Sequence, residues 1–326
     1  MNKNNAAIDI MKVVFSLCVI AIHTNPILRV TNQTMIDLYS LFVSFAVPFF
    51  FTTTGFLTGK KLDDENYVKQ LRKKYIRIYL IWNAAYLPIT IWGFIYNGQS
   101  ITKAIFSWVK GFLLLGEQFC SWPLWYLLSI IYGTFVLQIM ARKSIDLKGK
   151  CLIAISLFLL ATIVNHAGSI NPVFGKIVAK TVGNGRLLTG PCFMILGSVL
   201  SDWEVEKRTS LALSGGGIVL AIITALSFHL PYSTTYISAI ILVPLLVKTC
   251  GLFSCGFDGK ILRKYSKVSY FTHMYFVFLF QYSVLSFSKV REQGLECFVF
   301  SVIGTLIVFA IDLLIAFYKS EFDILS

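Results

Sequence analysis

Ten runs of apolar residues, most of them about the length of a bilayer crossing, occupy the greater part of this 326-residue chain. They cover roughly residues 8–28, 36–57, 78–97, 124–141, 151–166, 187–201, 211–229, 234–249, 269–288 and 295–318. A bilayer core offers no water to backbone N–H and C=O groups, so a run of this kind folds as an α-helix, which satisfies each group within itself. The expectation is an all-α, polytopic membrane protein of about ten transmembrane helices. Composition agrees, since 56% of residues are hydrophobic and 14% are charged, where soluble domains carry about a quarter charged. No Pro-, Gly- or Ser-rich linker, repeat or low-complexity run divides the sequence. Residues 1–326 therefore read as a single integral membrane domain, with the basic segment 60–77 as a loop.

A net charge of +13 would suit nucleic acid in a soluble protein, but in a membrane protein the position of charge comes first. With the N-terminus in the cytoplasm, 21 of the 29 Lys and Arg residues fall on the inner side of the ten-span arrangement and 8 on the outer side. That asymmetry follows the positive-inside rule. It predicts a multi-pass protein of the cytoplasmic membrane with both termini inside, and it implies no nucleic-acid partner. The first apolar run is longer than a signal-peptide core, carries charge and ends in His-Thr-Asn-Pro, so it reads as a retained helix. The seven cysteines lie mostly in apolar segments and form no Cys-x-x-Cys pair. They suit neither zinc nor a disulfide framework and read as packed thiols.

The first run, residues 7–26, carries Asp9, Lys12 and His23 in an otherwise apolar stretch. At 100° and 1.5 Å per residue, Lys12 and His23 differ by about 20° in direction and about 16 Å in depth. Ser16 and Val19 share their stripe, and Asp9 is about 60° away. Taken singly, Lys12 could snorkel to the inner headgroups and His23 could cap a neighbouring helix. Two ionisable groups on one face at opposite depths point instead to a functional path. Lys12 can hold an anionic group arriving from the cytoplasm, and a neutral His23 nearer the outer side can take a proton from a hydroxyl or amine. Asp312, in the last run, has no evident partner, and His166 and His229 read as interfacial.

The pattern Ile8-Asp9-x-x-Lys12, ten residues and then His23, resembles the first helix of the acyltransferase-3 family of membrane acyltransferases. Lys12 stands where that family usually has Arg, which keeps the charge and loses the planar fork. Other pieces follow in order. Residues 44–60 (SFAVPFFFTTTGFLTGK) resemble the family's second helix, Lys74-Tyr75-Ile76-Arg77 its Arg-x-x-Arg element, and 121–127 (SWPLWYL) its entry to helix four. TGPCFMILGSVLSD resembles the sixth helix, with Gly183-Asn184-Gly185-Arg186 a loose match to the segment ahead of it. Ser266, Tyr270 and His273 fit the late pattern Ser-x-x-x-Tyr-x-x-His. The likeness runs from residue 6 to about 276. HTNP and AVPFFF are similar also to the membrane half of vancomycin-resistance-type membrane serine racemases, whose soluble racemase half is expected to be absent.

The resemblance implies an enzyme that moves an acyl group, acetyl or succinyl, from cytoplasmic acyl-coenzyme A to a hydroxyl or amine of a cell-envelope glycan, lipid-linked sugar or related acceptor. His23 would be the general base, with Lys12 and Asp9 organising the inner part of the channel. Lys74 and Arg77 would steer the phosphates of the donor, while Ser266, Tyr270 and His273 would line its path. Trp125 would meet substrate, where composition alone makes it part of an interfacial aromatic belt. Acetyl-coenzyme A would be a co-substrate, with no permanently bound cofactor and no metal. A polar stripe also suits a permeation path, so a transporter of a small amino acid or acyl compound stands as the alternative. A scaffold role would leave the stripe unexplained.

Overall fold

The computed structural model describes residues 5–166, 171–182, 185–229, 232–253, 256–282 and 292–318; at 179–182, 232–236 and 317–318 it describes the backbone alone. Gly183, Asn184, Cys255 and the basic residues Lys3, Lys289, Arg291 and Lys319 lie outside the described residues. In chain order the helices are α1 (Ala6–Thr24), α2 (Gln33–Ser44), α3 (Ala46–Gly59), α4 (Glu65–Tyr96), α5 (Ile101–Lys110), α6 (Trp125–Arg142), α7 (Leu147–Asn165), α8 (Pro172–Val182), α9 (Arg186–Asp202), α10 (Lys207–Phe228), α11 (Tyr232–Leu252), α12 (Lys260–Tyr282) and α13 (Leu295–Tyr318).

Each of the ten apolar runs is helical over most of its described residues. Among the described residues seven segments are long and apolar enough to cross a membrane: Ala6–Thr24, Gln33–Gly59, Glu65–Tyr96, Trp122–Arg142, Leu147–Asn165, Lys207–Phe228 and Leu295–Ala316. The protein is an all-helical, polytopic membrane protein. The other three runs are not among these seven, and the side chains of 232–236 and residues 283–288 lie outside those described. α9 has 17 residues, the apolar stretch of α11 is Ile237–Leu252, and the first turns of α12 hold Lys260, Arg263, Lys264 and Lys267.

Two boundaries differ from expectation. Residues 65–77 are not loop but the first turns of α4, a 32-residue helix. Asp64 caps it, its carboxylate accepting from the N–H groups of Asn66 at 3.0 Å and Tyr67 at 3.1 Å, and Glu65 places a negative charge at the positive helix end. Glu65 also holds Lys69 at 3.5 Å and Arg142 of α6 at 2.8 Å. The expected second span is broken at Phe45 into α2 and α3. Pro48 has no N–H to offer the Ser44 carbonyl, so the ladder loses a rung there.

The chain forms two compact units, residues 1–47 with 206–326, and residues 48–205. In the first, α1 is packed among α12, α13, α2 and α11, and α2 also meets α10 and α11. Hydroxyls join α10 to α11, where Thr249 Oγ1 lies 2.7 Å from both Ser210 Oγ and Ser214 Oγ. In lipid, where apolar burial between helices gains little, such bonds and close contacts hold the bundle.

In the second unit α9 packs on α6 and α7, and α6 on α4. The approach of α3 to α9 is set by backbone. A Cβ at Gly55 would stand 2.0 Å from the Met194 carbonyl oxygen, and one at Gly197 would stand 2.1 Å from that of Thr52. Only glycine allows helices this close. Arg72, buried on α4, donates to Gln138 Oε1 of α6 at 2.5 Å and lies 3.9 Å over the Phe135 ring. Cys18, Cys120, Cys192, Cys250 and Cys297 are buried, as packed thiols should be, and Cys151 is half-buried.

Candidate functional site

The polar stripe of α1 faces protein, and the helix it faces above all is α12. Contacts between the two advance in the same sense, from Asp9 with Arg263, through Lys12 with Ser266, to His23 with His273. α1 and α12 therefore run parallel along one seam.

The first end of the seam is a charge cluster. Asp9 is 1% exposed and receives two cations, Lys12 Nζ at 3.1 Å and Arg263 Nη1 at 2.5 Å. The second oxygen of this carboxylate also lies against Gly259, where a Cβ would come within 2.4 Å of it. The turn before α12 can close on Asp9 because residue 259 carries no side chain. Beyond it, Ser266 Oγ donates to the Lys12 carbonyl at 3.2 Å. The paired charges answer how an acid and a base survive inside the first helix: each is the other's counter-charge.

At the far end the imidazoles of His23 and His273 lie with ring centroids 5.4 Å apart. His273 is fully buried, and its Nδ1 is 2.9 Å from the Ser269 carbonyl. A carbonyl oxygen can only accept, so Nδ1 carries the proton and Nε2 presents a lone pair. That Nε2 has no partner among the described residues. Tyr270 is adjacent, its ring centroid 6.5 Å from that of His273. The α1 end is fixed from outside the helix: Gln293 Nε2 donates to the His23 carbonyl at 3.2 Å, and the Gly294 N–H to that of Thr24 at 2.6 Å. Asn25, in the left-handed region at φ 45°, closes the last turn.

Lys74, Arg77 and Trp125 belong to the second unit. Lys74 and Arg77 are exposed one turn apart on α4, the spacing that brings two side chains to one face. Trp125, half-buried at the start of α6, packs on Phe51 with centroids 5.7 Å apart, and the Arg186 guanidinium lies 5.8 Å above its ring. Arg186 is ion-paired with Glu117. Burial pushes the Glu117 carboxyl above its ordinary range, against the pull of Arg186.

Residues 5–317 match the acyltransferase-3 family, described as an acyltransferase domain. The chain belongs to the acyltransferase-3 family. It is a multi-pass membrane protein of that family. An amino-acid racemase of Enterococcus faecalis is 26% identical over 212 residues, covering 62% of this chain and 29% of the racemase, so the match spans about three tenths of that relative's length. No solved structure matches the chain.

Several contacts of this chain were not legible in its sequence. Asp312 is not unpaired, because Lys264 Nζ of α12 lies 2.9 Å from its Oδ2 and ties α12 to α13. The sign to look for was a lone acid in one span and a lone base in another. His229 is more than interfacial. Its Nδ1 meets Asp37 at 2.7 Å, and Gln33 Nε2 donates to the other Asp37 oxygen at 2.7 Å. His166 Nδ1 bonds back to the Thr162 carbonyl at 2.9 Å, a local helix-end contact. Arg263 carried no motif at all. Chemically, the α1–α12 seam offers a cationic cluster at one end and two facing imidazoles at the other, which suits an anionic donor and a proton transfer.

Proposed function

We propose that this acyltransferase moves an acyl group, acetyl in the first instance, from cytoplasmic acyl-coenzyme A to a hydroxyl or amine of a cell-envelope glycan, lipid-linked sugar or related acceptor. The observation that carries the reading is the α1–α12 seam, where Lys12 with Asp9 and His23 with His273 occupy opposite ends of one helix pair. His23 acts as the general base. As the acceptor oxygen or nitrogen bonds the acyl carbon, its proton passes to His23. The carbon–sulfur bond breaks, and the departing coenzyme A thiolate takes up that proton. His273 Nε2, a buried lone pair, accepts a hydrogen bond from the donor or from the reacting pair. Lys74 and Arg77 meet donor phosphates, Ser266 and Tyr270 line the donor's path, and Trp125 contacts the acceptor. The protein lies in the cytoplasmic membrane with both termini inside, in line with its 21-to-8 distribution of basic residues.

The test is His23→Gln, which keeps a hydrogen-bonding side chain and cannot take a proton at neutral pH. Acyl transfer to the envelope, followed with labelled acetate or succinate in cells, falls by about 10²- to 10⁴-fold, the contribution of a general base. Coenzyme A binding and membrane abundance stay at the parent level. Absence of acyl label in the envelope of cells making the unmodified protein, with uptake of a small amino acid or acyl compound that His23→Gln retains, overturns this reading in favour of transport.

A further inference from the structure

We propose that Arg263 is a second anion-binding cation of the donor site, supplying to the phosphates of acyl-coenzyme A the planar fork that Lys12 lacks. The inference rests on the acyl-coenzyme A reading above. Asp9 is turned inward at 1% exposure, while the side chains it holds reach outward, Lys12 at 19% and Arg263 at 35%. One buried carboxylate thus presents two cations, and a single negative charge neutralises only one of them. Among the described residues the remaining acid nearby is Asp258, 3.5 Å from Arg263 Nη2 and 3.4 Å from Lys260 Nζ. It is 45% exposed, so water screens its hold and an anion can displace it. Two acids, Asp9 and Asp258, then face three bases, Lys12, Lys260 and Arg263, while Lys264 is engaged by Asp312. Among the described residues the cluster carries a surplus positive charge.

The shape of the cluster points to phosphate. Arg263 commits Nη1 to Asp9 and a long contact to Asp258, and a guanidinium has five N–H donors in one plane. Two parallel donors match two phosphate oxygens, as an ammonium cannot. Asp9 holds this fork in place from below. It can do so because Gly259 leaves the space that a Cβ would take, 2.4 Å from the carboxylate oxygen. A fork presented from α12 beside Lys12 on α1 gives the seam both a point charge and a bidentate donor.

Equilibrium binding of coenzyme A and of pantetheine, which lacks the phosphates, to the full-length protein in nanodiscs tests the assignment. Arg263→Gln is expected to weaken coenzyme A by about tenfold or more, the scale of one charge-assisted bond, and to leave pantetheine unchanged. Arg263→Lys, which keeps the charge and the Asp9 pair, loses several-fold, and Lys12→Arg restores affinity in the Arg263→Lys protein by returning a fork to the cluster. A purely structural Arg263 would lower both ligands together or neither, and either result overturns the proposal. If Arg263→Gln does not fold, Arg263→Lys decides, and parent-level coenzyme A affinity in that variant overturns it. An unmodified protein that binds no coenzyme A at all overturns the donor reading as well, so the two failures are told apart.

Discussion

Asp9→Asn isolates the electrostatics of the seam, since it removes one charge and leaves the side chain the same size. In the parent the carboxylate sits at 1% exposure between Lys12 Nζ at 3.1 Å and Arg263 Nη1 at 2.5 Å. Stranding a fully buried charge costs about 3–5 kcal/mol. Here water reaches part of both stranded cations, Arg263 most, so the expected loss is smaller, about 2–4 kcal/mol. The two cations, no longer bridged, then repel each other. Removing one should return part of the loss, so Arg263→Gln placed in the Asp9→Asn background couples favourably by about 1 kcal/mol or more. SDS-titrated unfolding of the purified proteins in mixed micelles measures each corner of the cycle. If Asp9→Asn is within about 0.5 kcal/mol of the parent and the cycle shows no coupling, then Asp9 is not the counter-charge that lets Lys12 and Arg263 coexist, and the account of the seam falls.

Lys12→Arg should keep most acyl transfer, because charge and reach are preserved, whereas Lys12→Met at equal membrane abundance should lose about tenfold or more; equal rates for Lys12→Met would make Lys12 a mere anchor. Gly55→Ala puts a Cβ 2.0 Å from the Met194 carbonyl oxygen, forces α3 off α9 and should destabilise by about 1–3 kcal/mol, read as a lower midpoint in the same SDS titration. Glu117 has a raised folded pKa because burial outweighs the Arg186 pair, so the folded state holds its proton to higher pH than the unfolded state. Stability from this group is therefore lost as pH rises above its ordinary value of 4.5 and through the folded pKa, and Glu117→Gln should flatten that part of a melting-temperature profile; an unchanged profile would contradict the sign.

Hydropathy located each of the seven segments that, among the described residues, are long and apolar enough to cross, because lipid leaves the backbone no other choice, and the 100° rule put Lys12, Ser16 and His23 on one face. The same rule says nothing of which helix that face will meet. Arg263 lies 254 residues from Asp9, and His229 lies 192 from Asp37; such pairs are set by how helices assemble, not by any local pattern. Helix ends fared differently. The capping role of Asp64 is readable from Asp64-Glu65 ahead of a helical run, whereas the density of Lys and Arg at 69–77 masks the helix behind a loop-like composition. Gly259 was silent in sequence since its reason is a carboxylate from another helix.

The first unit is discontinuous, residues 1–47 completed by 206–326, and this imposes an order on biogenesis. α1 leaves the ribosome well before α12, carrying Asp9, Lys12 and His23 while the turn at Gly259 and the partners Arg263 and His273 are still untranslated. Some 235 residues separate Thr24 from Gly259, and at bacterial-scale rates of roughly 5–20 residues per second that interval lasts on the order of 10–50 s. Over that time the nascent α1 holds an acid and a base beside each other with only i,i+3 contact to neutralise them. It must wait at the insertion machinery or the bilayer edge. The Lys12–Asp9 pair within α1 thus has a task before the first unit is complete: it makes the span insertable until Arg263 arrives.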